Sequence, residues 1–124
     1  MAKYQIQIIH PDQFSISDFH KSVHVLSDIA ISGFGRKLSM CFLKYRDTGQ
    51  DILSEFALNF INCDIIKISR IDFIPHEGVA GVIGIEMSVN QGKFTWLFTT
   101  SYCEYEITCE NFDVVQRTYD SSGS

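Results

Sequence analysis

The chain has 124 residues, a formal net charge of -5 and a pI near 5.2, with 45% apolar and 20% charged residues. A domain splits only beyond about 250 residues, so one domain over residues 1–119 is expected, and the composition excludes a disordered chain. No basic stripe of the kind that neutralises phosphates is present, which argues against direct nucleic-acid binding and in favour of a basic protein partner.

In chain order, Tyr4-Gln5-Ile6-Gln7-Ile8 alternates and reads as a leading strand. Residues 14–22 have apolar spacing suited to a short helix, with Ser15 or Ser17 as N-cap. Residues 25–32, 37–45 and 54–62 then read as three strands, the first two joined through Gly33-Phe34-Gly35-Arg36. Lys67 to Phe73 alternates again, as an extension of the first sheet or a bridge to the next. Residues 82–89, 93–100 and 103–110 repeat the three-strand pattern, with Asn90-Gln91-Gly92 as the hairpin connection. Asp120 to Ser124 is a polar tail outside the fold.

The two halves are copies of one unit, residues 20–66 and 76–115. His20 falls on His76, Val23 on Val79, Leu26 on Val82, Ile29 on Ile85 and Ile31 on Met87. Without a gap, Leu38 meets Phe94, Met40 meets Trp96 and Phe42 meets Phe98. Copy one carries seven extra residues around Asp47-Thr48-Gly49-Gln50. Beyond them Phe56, Leu58 and Phe60 lie over Tyr105, Ile107 and Cys109, and Asn62, suited to a bulge or turn, over Asn111. A mainly β fold follows: two three-strand antiparallel meanders, packed as a sandwich or half-open barrel, with a short N-terminal helix.

Catalytic motifs are sparse. There is no G-x-S-x-G elbow, P-loop, H-E-x-x-H or paired-cysteine spacing. Of the histidines His10, His20, His24 and His76, only His20 and His24 have chelating spacing, and a zinc site needs a third ligand. No metal, cofactor or catalytic residue is therefore assigned. Cys41, Cys63, Cys103 and Cys109 read as reduced thiols in a cytoplasmic protein, since the N-terminus shows no export signal and no stretch is long enough to span a membrane. No structural disulfide is expected: Cys103 and Cys109 lie about 20 Å apart along one strand. That leaves open a meeting of Cys41 or Cys63 with one of them across the sheet.

The carboxylates carry the clearest functional signal. Period two puts Glu104, Glu106, Thr108 and Glu110 on one strand face, where copy one has Glu55, Ala57, Asn59 and Ile61. An acidic stripe that the shared unit does not require suits a recognition patch; the alternative is a solvated face that discourages edge pairing. Asp47, Asp51 and Glu55, in and beside the insertion, are the other candidate partner-binding residues.

The pattern from Val23 to Ile31, the hairpin, and the run Phe56-Ala57-Leu58-Asn59-Phe60-Ile61-Asn62-Cys63 resemble the small β-rich immunity proteins of bacterial polymorphic toxin systems, including contact-dependent inhibition. The resemblance implies a cytoplasmic, non-enzymatic protein that binds one cognate toxin domain, expected to be basic and a nuclease, and occludes its active site. The alternatives are a phage or accessory module of a larger assembly, and a cysteine-dependent enzyme using Cys103 or Cys109.

Overall fold

The computed structural model describes residues 4–23, 25–45, 51–70 and 80–119. The strands are β1 (Tyr4–Ile9), β2 (Val25–Ser32), β3 (Lys37–Tyr45), β4 (Ile52–Arg70), β5 (Ala80–Asn90), β6 (Lys93–Thr100) and β7 (Cys103–Tyr119). A 3-10 turn (Pro11–Gln13) and the helix α1 (Ile16–Ser22) separate β1 from β2. All pairings are antiparallel, in the order β1-β7-β4-β3-β2-β5-β6, and β6 also pairs with β7, so the sheet curls into a ring. The two expected meanders, β2-β3-β4 and β5-β6-β7, form its halves. β4 and β7 join along nearly their whole length, whereas among the described residues β2 and β5 meet at two rungs, Val25↔Gly81 and Leu26↔Ala80.

The third strands are longer than their alternation suggests. β4 runs 19 residues, absorbing the Lys67 segment as its own continuation to Arg70, and β7 runs 17. Ile71 to Phe73, the insertion around Asp47, His24 and His76 lie outside the described residues. β7 changes phase once and β4 twice. Phe60 and Cys63 point inward on β4, as do Cys109 and Phe112 on β7, with two residues between them instead of one. Asn62, at φ 55, takes the left-handed conformation that Asn tolerates, and the register slips just beyond, between Cys63 and Ile65. On β7 the change keeps Phe112 and Val114 inward beyond Cys109; on β4 the second shift, beyond Cys63, returns Ile66 to the core side opposite Ile107.

The interior is aromatic. Trp96, Phe42, Phe60, Phe98 and Phe112 are fully buried beside Leu38, Met40, Leu58, Ile107 and Val114. Trp96 stacks on Phe98 at 5.5 Å and meets Phe60 and Phe112 edge-on. α1 is too short to stand alone. Ser15 caps it, accepting from the Asp18 N–H at 3.3 Å, and Phe19 holds it by packing edge-on against Phe42 and Phe56.

The ladder places Leu38, Met40 and Phe42 opposite Phe60, Leu58 and Phe56, and Phe94, Trp96 and Phe98 opposite Cys109, Ile107 and Tyr105. These are matching rungs of the two meanders. The first strands do not match without a gap. Ile29 faces Met40, but Trp96 faces Met87, not Ile85. The reason is hairpin length. Gly33–Arg36 separate Ser32 from Lys37, whereas only Gln91 and Gly92, both at positive φ, separate Asn90 from Lys93. The offset is two residues, an even number, so the inward faces are preserved.

Candidate functional site

Because the interior is filled, chemistry available to a partner lies on the outer face. The rungs build one surface directly. Lys67 of β4 faces Glu106 of β7, which faces Leu97 of β6, which faces Glu86 of β5. One rung away, Ser69, Glu104 and Thr99 make a parallel row. Together these residues line a groove of about 240 Å³. A trough of about 480 Å³ adjoins it, sharing Glu86 and Leu97 and reaching Ile16, Met87 and Thr95. Leu97 is 42% exposed at the centre. Three carboxylates surround an accessible apolar side chain, and Lys67 is the one basic residue lining the groove among the described residues.

Glu104 and Glu106 thus stand together as the alternation predicts, but Glu110 does not join them. It lies beyond Thr108, whose hydroxyl bonds Thr95 at 3.1 Å, and its carboxylate accepts from the Asn62 amide at 3.2 Å. Its surroundings include Lys93, which is paired with Asp64. Glu86 takes the third place instead. The sequence signal for it was the two-residue hairpin: once Asn90 is set opposite Lys93, Glu86 must fall opposite Leu97.

The corresponding surface of the other meander has a different character. Asp28, Cys41, Leu43, Glu55, Ala57, Val115 and Arg117 line a groove of about 520 Å³. Here Glu55 faces Arg117, and the two pair at 3.7 Å. Ala57 and Val115 fill the positions matching Glu106 and Lys67. β1 extends this face with Ile6 and Ile8, opposite Arg117 and Val115 and each 54% exposed. Asp51 is exposed just before β4. Glu55 and Asp51 are therefore separated from the Glu104 groove by the middle of the β4–β7 ribbon.

Three of the thiols are favoured in their protonated form. Burial pushes the Cys109 thiol up to about 12, assisted by the nearby Cys63, and burial followed by the neighbouring Asp28 raises Cys41. Burial, then Asp64, raises Cys63. Such shifts deplete the reactive thiolate. His10 and His20 are exposed, His20 on the last turn of α1. Among the described residues, no group of three or more His, Cys, Asp and Glu side chains converges as a metal site. No described helix is long and apolar enough to cross a membrane.

No family model matches the chain, and no curated protein does. Among solved structures the chain is similar to an uncharacterized protein from Neisseria gonorrhoeae, with a TM-score of 0.53 and 14% identity over 89% of this chain and 96% of that one. At that identity the likeness concerns the fold alone.

Proposed function

We propose that this chain is a non-catalytic binding protein whose Glu86–Glu104–Glu106 groove docks a basic protein partner, and that it acts as an immunity protein occluding a cognate toxin domain in the cytoplasm. The observation that carries the reading is the exposed Leu97 ringed by three carboxylates. Stable interfaces combine an apolar centre with a polar rim, and one sign of charge accelerates encounter with the opposite sign. A nuclease-type toxin presents a basic substrate cleft, which such a surface complements. The raised thiols of Cys41, Cys63 and Cys109 weigh against a cysteine-dependent enzyme.

The test takes candidate toxin domains encoded in the neighbourhood of this gene and titrates each at low and high salt with wild type and with Glu86→Gln/Glu104→Gln/Glu106→Gln. Slower association and a flatter salt dependence in the variant are expected, with inhibition of the toxin weakened in parallel. Unchanged association at both salts would remove this groove from the interface. Failure of the wild type to inhibit any neighbouring toxin would remove the immunity reading itself.

A further inference from the structure

Cys63 of β4 and Cys109 of β7 occupy one rung of the ladder, at the midpoint of the longest strand pair in the molecule. The type of rung follows from the backbone. The Cys63 N–H donates to the Arg36 carbonyl at 2.8 Å, on the side away from β7. In an extended strand a residue's N–H and C=O leave on the same side, so Cys63↔Cys109 is a non-hydrogen-bonded rung. In such a rung the Cα atoms stand about 4.5 Å apart and the two side chains lie close on one face. A disulfide requires a Cα separation of about 4.4–6.8 Å. Both side chains belong to the inner face: Cys109 is fully buried, and Cys63 packs against the core while remaining partly exposed. No other cysteine is so placed. Cys41 faces Asp28 and Ala57 across its rungs, and Cys103 faces Arg70.

We infer that Cys63 and Cys109 form a dithiol site that exchanges with a low-molecular-weight disulfide, such as oxidised glutathione, to close a cross-strand disulfide between β4 and β7. Cys63 is the entry thiol because it is reached from solvent. Its thiolate attacks one sulfur of the small disulfide. That S–S bond breaks, one small thiol departs carrying a proton, and Cys63 is left as a mixed disulfide. The Cys109 sulfur, having released its own proton, attacks the Cys63 sulfur and displaces the second small thiol. The protein dithiol loses two electrons and two protons, and the small disulfide gains both as two thiols. The new bond would join β4 to β7 at the rung beside the register slip, between the stretches of the ribbon that carry the acidic and the apolar outer faces. A reducing thiol pool reverses the exchange, which accords with thiols as the resting state in a reducing compartment.

The experiment incubates the folded protein with oxidised glutathione, blocks remaining thiols with an alkylating agent, and maps peptides by mass without reduction. The expected result is a linked Cys63–Cys109 peptide pair lighter by two hydrogens, with Cys41 and Cys103 alkylated. The Cys109→Ala variant should instead retain glutathione on Cys63. Should that variant fail to fold, Cys63→Ser, altered at the partly exposed position, should show neither the link nor an adduct on Cys109. Alkylation of both Cys63 and Cys109 in oxidised wild type, a stable glutathione adduct on wild-type Cys63, or a link through Cys41 or Cys103 would overturn the inference.

Discussion

The two outer grooves occupy matching rungs of the two meanders, yet one sets three carboxylates against one lysine and the other two carboxylates against one arginine within a more apolar lining. At one end Glu104 and Glu106 face Ser69 and Lys67; at the other Glu55 and Ala57 face Arg117 and Val115. Glu55 has its countercharge at 3.7 Å, with the Tyr119 phenol, raised chiefly by burial and then by its hydrogen bond to Glu55, completing the cluster. Glu86 and Asp28 stand at corresponding places, opposite Leu97 and Cys41. The inner faces are alike because both must fill one core. The outer faces carry no such requirement, and one of them has gathered three carboxylates around a single lysine, Lys67. A surface that a fold leaves unconstrained is where binding residues can accumulate.

The largest expected effect tests the shared core. Trp96→Ala should destabilise by about 3–5 kcal/mol and Met40→Ala, on the matching rung, by about 2–5 kcal/mol, measured by chemical denaturation. If only one of these falls in its range, the two meanders do not contribute comparably to the core.

Binding should separate the ends next. Replacing Glu86, Glu104 and Glu106 with Gln should leave folding within about 0.5 kcal/mol per site. The same change should cost about 2–5 kcal/mol of affinity for a basic partner wherever a carboxylate is desolvated in a pair. The mirrored variant, Asp28→Asn with Glu55→Gln, should bind as wild type does. A loss of affinity in the mirrored variant, read by calorimetry, would move the interface to the apolar end.

Alkaline stability should also distinguish the halves. Cys109 and Tyr105 on β7 are raised to about 12 from ordinary values of 9.0 and 10.0, burial being the main cause for each. Their counterparts on β4 are Phe60 and Phe56, which do not titrate. A raised folded-state value means the folded protein holds its proton more tightly than the unfolded chain does. The stability is therefore complete below pH 9.0 and is lost as pH rises through 10.0 toward 12. Melting temperatures followed over that range should fall for wild type and fall less for Tyr105→Phe/Cys109→Ala. Parallel slopes would show that other groups govern alkaline unfolding.

The smallest effect concerns the ion pair at the apolar end. Both partners are more than a third exposed, so Arg117 and Glu55 should couple by only about 0.2–1 kcal/mol in a double-mutant cycle, and less at high salt. A much larger coupling would mean that the pair holds the β4–β7 ribbon together.

Local pattern made much of this molecule legible. Alternation identified Lys37–Tyr45 and Lys93–Thr100 as strands, because a half-buried strand must alternate. It also placed Glu104 and Glu106 on one face, since that requires only period two. The ends of β4 and β7 were not legible in the same way. The phase change near Asn62 and Asn111 breaks the alternation that would have extended them. Glu110, two positions beyond Thr108, satisfied the pattern yet belongs to the Asn62 cluster.

What the sequence by itself determined was which side chains face inward and that two like units share the work of burial, because those follow from spacing along one chain. Tertiary structure alone decided which strands became neighbours. The β4–β7 pairing set Lys67 opposite Glu106, set Glu55 opposite Arg117 and put Cys63 and Cys109 on one rung. These are contacts between residues more than 35 positions apart. They depend on register, and register is fixed by hairpin length and by the slip beyond Cys63, neither of which alternation alone encodes.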